Sequence, residues 1–229
     1  MEKNFGREFR FGFTQTIPVL LGYLFLGIAF GLLMNEIGYG PVWAFLTSLF
    51  VYAGSMQFVL VGLIANGAGL FSAAVMTLFV NGRHIFYGLS FLEKFRSMGK
   101  AYPYMVFSLT DETYSVLCNL KVPGEYDEKK VSLMISALNH FYWVIGSVLG
   151  GVVGSLITFD TTGIDFSMTA LFVVIVINQW TENREHRPAL VGGVIGLACL
   201  VLLGPDRFLL PALALTSCVL LGGKKRWNM

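Results

Sequence analysis

Long apolar runs separated by short polar loops set the strongest limit on the fold of this chain. In lipid every backbone polar group must be satisfied internally, so a spanning segment is either a helix or a strand of a closed barrel. Barrel strands alternate and are about ten residues long, whereas these runs are continuous and about as long as a membrane-spanning helix, ~20 residues. We therefore exclude a barrel. The runs cover residues 13–34, 42–65, 68–91, 103–120, 131–159, 166–181, 188–204 and 207–222.

The composition agrees with a protein that lies mostly within a membrane. Only 13% of the 229 residues are charged, against about 25% in a typical soluble domain, and the mean hydropathy is +0.67. We predict an all-α polytopic membrane protein with about seven or eight transmembrane segments. It would form a single integral membrane domain over residues 1–229, with no room for a soluble domain.

Several functional classes are disfavoured by composition and motifs. The net charge of +2 is too small to indicate a nucleic-acid partner, and the three cysteines lie in apolar runs without metal-ligand spacing. No nucleotide-binding, H-E-x-x-H or G-x-S-x-G pattern is present. We therefore predict no metal, no cofactor and no enzymatic activity.

The basic residues of both tails place both termini in the cytoplasm, because Lys and Arg accumulate on that side. The loops 121–130 and 182–187 then also lie inside, and the acidic loop 160–165 lies outside. The basic tail residues are Lys3, Arg7, Arg10, Lys224, Lys225 and Arg226.

One loop conflicts with this orientation. Residues 92–102 carry Lys94, Arg96 and Lys100, yet a count of eight crossings places them outside. A re-entrant or broken helix in the flanking segments would remove the conflict. We therefore expect that segments 68–91 and 103–120 are not ordinary spans.

Polar residues inside the apolar runs are the candidates for function. A charged side chain at the bilayer centre costs about 2.5–3.5 kcal/mol on insertion scales and usually marks an ion or substrate path. Such residues occur in five of the segments: Ser55 and Gln57; Asn81, Arg83 and His84; Asp111 and Glu112; Asn139 and His140; and Asn178 and Gln179.

Arg83 is the only arginine deep within an apolar run, so Asp111 or Glu112 is its natural partner. The two carboxylates lie near the middle of segment 103–120. Neighbouring helical residues point about 100° apart, so one can face Arg83 while the other faces a different group. Two interpretations stay open: a structural ion pair that fixes helix register, or a substrate or proton path.

Glycines predict both breaks and close helix packing. Gly82 follows Asn81 in a turn dipeptide, and Gly54 is a second candidate break, with close packing as its alternative. Broken helices expose backbone ends that transporters use to hold carboxylates and ions. Small residues four apart let helices approach closely in lipid. They are Gly27 and Gly31 in the first run, and Gly146, Ser147, Gly150, Gly151, Gly154 and Ser155 in the fifth.

Four ordered motifs resemble one known family. YAGSMQF (52–58), NGRHIFYG (81–88), TDETY (110–114) and TGIDF (162–166) are similar to the AzlC family, which includes YgaZ-type permeases. The resemblance implies a bacterial inner-membrane exporter of valine, leucine, isoleucine and sometimes methionine. It also implies a small AzlD-type membrane partner. The chain departs from the family at Gly82, where an aliphatic residue is more common.

The resemblance and the polar residues together suggest roles. Arg83 and Asn81 would bind the carboxylate of the amino acid, with Asp111 on its ammonium. Gly54, Ser55 and Gln57 would line the same site. Glu112 or His84 would carry the coupling proton. The main rival is a channel or structural membrane subunit in which the Arg–Asp/Glu pair only fixes helix packing.

Overall fold

The computed structural model describes residues 2–156, 166, 173, 176–177, 180–181, 186–204 and 208–227. Every regular element within these residues is a helix, as predicted. Asn178 and Gln179, the loop 160–165, nearly all of the TGIDF motif and the side chains of Lys224, Lys225 and Arg226 lie outside the described part. So does most of the loop 182–187.

The helices follow the predicted runs, but three of these runs are divided. A 3-10 turn at Gly99–Ala101 precedes α6. In chain order, the helices whose bounds fall within the described residues are α1 (Glu2–Glu36), α2 (Pro41–Phe50), α3 (Gly54–Ala65), α4 (Leu70–Asn81), α5 (Arg83–Arg96), α6 (Tyr102–Phe107), α7 (Asp111–Asn119), α8 (Glu128–Leu156), α9 (Arg187–Leu203) and α10 (Leu209–Trp227).

The described helices group into two compact units. The first contains α1–α3 and α5–α8, and the second contains most of α4 together with α9 and α10, which pack on each other. Two stretches, Gly6–Glu36 and Glu128–Leu156, are long and apolar enough to cross a membrane by length and composition. The number of spans and the single domain over residues 1–229 stay predictions.

The pairing of α1 with α8 forms the frame of the first unit. The two helices are antiparallel: Gly12 faces Met134 and Ile135 near the start of α8, whereas Asn35 donates to the Gly154 carbonyl near its end. Between these points the glycines allow backbone to meet backbone. A Cβ on Gly27 would lie 3.0 Å from the Gly146 Cα. The predicted role of small residues in helix packing is confirmed for this pair.

The second apolar run folds into a helical hairpin, α2–α3. Pro41 packs against Gly151, and α2 then descends along α8 until the Ser48 carbonyl meets His140. The helix stops at Phe50, and α3 begins at Gly54 beside the Trp143 ring. Phe58, one helical turn after Gly54, packs on Phe30 of α1. The chain therefore runs back toward the end of α8 that contains Gly151. The predicted break at Gly54 is confirmed, and it reverses the chain.

The fourth apolar run forms a second hairpin, α6–α7, at the opposite end of α8. Its two outer ends lie in one apolar cluster near the start of α8, together with Val131 and Ile135. Its tip is deeper, because Phe107 contacts His140 and Thr113 bonds Asn139. The cluster contains Phe91, Phe95, Met105, Leu109 and Leu117, with Met98, Tyr102, Leu120 and Tyr126 packed against it.

The division of residues 103–120 into two helices agrees with the expectation that this segment is not an ordinary span. It corrects the position of Asp111 and Glu112, which do not lie at the middle of one helix. The helix ends at Phe107, and both carboxylates lie in the first turn of α7. The cause is local: the Thr110 hydroxyl caps α7 by accepting a hydrogen bond from the Thr113 N–H, at 3.3 Å. Acidic residues are favoured in a first turn by the helix dipole.

The conflicting loop 92–102 lies at the same end of the unit as the loop 121–130. Lys94 pairs with Glu128 at 2.7 Å, and the Lys129 ammonium donates to the Ser97 carbonyl at 2.7 Å. Both basic loops therefore share one side, which agrees with the preference of Lys and Arg for the cytoplasm.

Candidate functional site

The tips of the two hairpins meet at mid-height of α8. Tyr52, at the α2–α3 tip, stacks on His140 with ring centroids 4.2 Å apart and lies 6.2 Å from the ring of Phe107. Tyr52 has a φ of +42°, a left-handed value that among the described residues is otherwise restricted to glycine. The structure thus holds a strained tip against the other hairpin, as is common at functional sites.

Arg83 joins both tips. Its Nη2 lies 2.5 Å from Asp111 Oδ2 at the start of α7, and the same nitrogen donates to Ser55 Oγ at 3.1 Å near the start of α3. The prediction that Arg83 reaches Asp111 or Glu112 beside the AGSMQ stretch is confirmed. Three helices begin here, at Gly54, Arg83 and Asp111.

The Arg83–Asp111 pair is partly exposed, and not all of its polar atoms form hydrogen bonds. The side chains are 23% and 32% exposed. Within the described residues, Arg83 Nε and Asp111 Oδ1 have no hydrogen-bond partner, although both atoms are buried. A guanidinium offers five donors in a fork and a carboxylate offers two acceptor oxygens. Each group therefore keeps bonding capacity for a further molecule.

His84 and Asn81 lie at the edge of this pair. His84 Nε2 is 4.0 Å from Asp111 Oδ1, and its Nδ1 is 3.1 Å from the Asn81 carbonyl oxygen. Asn81 ends α4, and Gly82 keeps helical φ and ψ before α5 begins at Arg83. The predicted break at Gly82 is a one-residue interruption rather than an unwound segment.

Glu112 faces a different neighbour, the Tyr23 side chain of α1. The Tyr23 hydroxyl donates to Glu112 Oε2 at 2.7 Å and also lies 2.7 Å from Thr110 Oγ1. The Thr110 hydroxyl donates a hydrogen bond to the Thr113 hydroxyl, which also accepts one from Asn139 Nδ2 at 3.0 Å. The two neighbouring carboxylates thus face different partners, as their helical spacing predicted. Glu112 lies at one end of a series of side-chain hydrogen bonds that connects α7, α1 and α8.

Comparison with known proteins decides the family. A family model described as "AzlC protein" matches residues 18–157, which include both hairpins and the residues around the Arg83–Asp111 pair. The chain belongs to the AzlC family. It is 41% identical over 205 residues, 90% of this chain and 81% of the relative, to the Bacillus subtilis (strain 168) "Branched-chain amino acid transport protein AzlC".

Other relatives of this AzlC-family chain are described as membrane proteins. It is 42% identical to an uncharacterised membrane protein of Helicobacter pylori (strain ATCC 700392 / 26695), over 97% of this chain and 98% of the relative. It is 26% identical to the inner membrane protein YgaZ of Escherichia coli (strain K12), over 81% and 80%. No solved structure matches the chain. The predicted family is confirmed, and a membrane location is supported.

Gln57 holds the first hairpin of the AzlC-family chain in place, and Gly54 lies beside the Trp143 ring at its tip. The Gln57 side chain is fully buried; its oxygen accepts from Trp143 Nε1 at 2.9 Å and from the Ala53 N–H at 3.2 Å. Its nitrogen donates to Ser48 at 3.2 Å. These bonds occupy both ends of the amide. Of the three residues predicted in this stretch, Ser55 is the one that contacts Arg83.

Several residues of the site were not predicted from the sequence. Tyr23, Tyr52 and Trp143 gave no signal beyond being aromatic in apolar runs, although Tyr and Trp usually find a hydrogen-bond partner when buried. Tyr87 stacks on Tyr114 at 4.3 Å and interacts electrostatically with Asp111. Thr110 did carry a signal, because Thr followed by two acidic residues is typical of a helix start.

Proposed function

We propose that this chain is the large subunit of a secondary transporter that exports branched-chain amino acids, namely leucine, valine, isoleucine and sometimes methionine. It would work with a small AzlD-type membrane partner, in a bacterial inner membrane, with both termini cytoplasmic. The name of the Bacillus subtilis relative supports the substrate class. Direction, partner and proton coupling rest on the family resemblance and on the site chemistry.

The observation that carries the proposal is the accessible, unsaturated Arg83–Asp111 pair. A branched-chain amino acid carries one carboxylate, one ammonium and an apolar tail. Its carboxylate can replace Asp111 at the Arg83 guanidinium, and its ammonium can bind the released Asp111 carboxylate. This exchange of partners conserves charge at every stage, so no unpaired charge is left in the membrane interior.

Neighbouring groups fit the remaining parts of such a substrate. Ser55 and Asn81 lie beside Arg83 and would bind the carboxylate with it. The rings of Tyr87 and Tyr114 offer apolar surface next to Asp111 for the tail. The buried amide of Gln57 would act by holding the α2–α3 tip beside them.

The direct test is amino-acid counterflow in proteoliposomes. We expect the chain, purified with its AzlD-type partner and loaded with unlabelled leucine, to accumulate labelled leucine, valine and isoleucine. Labelled lysine is the control and should not accumulate, because the site offers no second carboxylate beside Asp111 that is free of a partner. A folded complex that exchanges none of the branched-chain amino acids would refute the proposed function.

Glu112 is proposed to carry the coupling proton, with His84 as the alternative carrier. We expect Glu112→Gln to lose accumulation driven by a pH gradient while keeping leucine counterflow, because exchange needs no net proton movement. Gln can still accept the bond from Tyr23, so the tip should stay intact.

The matched variant His84→Gln separates the two carriers. If Glu112 carries the proton, His84→Gln keeps gradient-driven transport. If His84→Gln alone loses gradient-driven transport, His84 is the proton carrier. If both variants keep gradient-driven transport, proton coupling through this site is contradicted.

A further inference from the structure

An open pocket lies near the N-terminal end of α1, outside the proposed transport site. It has a volume of about 410 Å³. Its wall opposite α1 is fixed by two contacts: the Asp127 N–H donates to the buried Glu8 carboxylate at 3.1 Å, and the rings of Phe11 and Tyr126 lie 5.5 Å apart. The pocket is lined by Arg7, Arg10, Phe11, Thr14 and Tyr126.

The pocket is strongly cationic. Arg7 and Arg10 are three residues apart, so their side chains are neighbours on the helix surface. Within the described residues neither forms an ion pair, and no carboxylate lines the pocket. Glu8, between them in sequence, is turned away and only 4% exposed. Guanidinium groups are the donors that phosphate groups prefer in proteins, and the Tyr126 side chain lines the same pocket as these two.

An apolar stripe runs along the outside of α1. From Phe13 onward it lies on the same face as Arg10, because Phe13, Ile17 and Leu21 follow Arg10 at i+3, i+7 and i+11. Phe9, Phe13, Ile17 and Leu21 recur every four residues and are 44%, 37%, 42% and 68% exposed. From Phe9 to Leu21 the helix rises about 18 Å, which is comparable with one acyl chain in a bilayer leaflet. A free phosphate ion would contact only the cationic pocket. A phospholipid would contact both the pocket, through its phosphate, and the apolar stripe, through an acyl chain.

We propose that Arg7 and Arg10 form a binding site for the phosphate of an anionic phospholipid, with an acyl chain along the α1 stripe. Juxtamembrane basic groups attract anionic lipid headgroups on the cytoplasmic side. Because Glu8 and Tyr126 connect α1 to the loop before α8, the bound headgroup stabilises the end of the α1–α8 pair. This site is independent of the transport reaction.

The test uses the full chain in detergent at physiological salt, with the melting temperature followed as phosphatidylglycerol is added. Phosphatidylcholine and millimolar inorganic phosphate are the comparison ligands. We expect phosphatidylglycerol to stabilise the wild type in a saturable manner. The double variant Arg7→Gln with Arg10→Gln should raise its apparent dissociation constant about 30-fold, since each basic group contributes about fivefold.

A charge-matched control is available at the same end of the molecule. Arg96, at the end of α5, and Lys100, in the 3-10 turn, are exposed. The variant Arg96→Gln with Lys100→Gln should change the apparent constant less than about threefold. If the double Arg variant does not purify as a single folded species, Arg10→Gln alone should show about a fivefold loss. Equal losses in control and test variants, or equal stabilisation by inorganic phosphate, would overturn the lipid site.

Discussion

Replacing Arg83 with Ala is expected to weaken leucine counterflow by about 10- to 100-fold in apparent affinity. A charge-assisted hydrogen bond contributes about 1.5–3 kcal/mol, and Arg83 is the cation that the structure places against both hairpin tips. The variant also leaves Asp111 without its cation. The measurement is the concentration dependence of labelled leucine exchange in proteoliposomes.

Two further variants separate charge from geometry at this pair. Asp111→Asn keeps the shape but removes the partner for the substrate ammonium, so we expect a loss similar to that of Arg83→Ala. Arg83→Lys keeps the charge but loses the planar fork, and it should fall between wild type and Arg83→Ala. Wild-type exchange by folded Arg83→Ala and Asp111→Asn proteins would contradict the proposed site.

The charge swap Arg83→Asp with Asp111→Arg addresses the structural interpretation. If the pair only fixes helix packing, the swapped pair should restore both folding and transport. If the pair binds the substrate, the swapped protein should fold but fail to exchange leucine. The reason is that the new Arg would lie at the start of α7, on the wrong side for the carboxylate, and away from Ser55.

The central contact could be predicted from the sequence because so few charges lie within the apolar runs. A lone Arg in lipid needs a counter-charge, and only Asp111 and Glu112 were available in such a run. The sequence could not say which carboxylate pairs with Arg83. That choice depends on the start of α7 at Asp111, which the Thr110 cap fixes.

The two hairpins could not be predicted in full. An apolar run of about 20 residues is long enough to span, and hydropathy does not tell a span from two short helices that turn back. Gly54 marked one break, but the reversal depends on the φ of Tyr52 and on contacts with Trp143 and His140, residues far along the chain.

Two re-entrant hairpins would remove the conflict in the positive-inside count. If α2–α3 and α6–α7 each leave the membrane on the side where they began, the count loses two crossings and remains even. This arrangement is compatible with the predicted cytoplasmic position of both termini, and it places the loop 92–102 on the same side as the loop 121–130. The observed proximity of Lys94 to Glu128 agrees with this arrangement.

The α1–α8 contact is expected to be the part of the molecule least tolerant of added volume. A Cβ on Gly31 would overlap the Ser147 carbonyl and the Gly151 nitrogen, and one on Gly150 would overlap the Ile28 carbonyl. These are backbone atoms, which cannot move without separating the helices. We expect Gly31→Ala and Gly150→Ala each to cost about 3 kcal/mol, a fall in melting temperature of about 6–12 °C in detergent.

Gly22→Ala is the matched control, because Gly22 lies in the same helix and a Cβ there meets nothing within 4 Å. It should leave the melting temperature unchanged or raise it slightly, since Ala is the better helix former. Transport should fall with stability in Gly31→Ala, because α1 carries Tyr23 and α8 carries Asn139 and Trp143, which position both hairpin tips. Equal melting temperatures for Gly31→Ala, Gly150→Ala and Gly22→Ala would show that the two helices do not approach this closely.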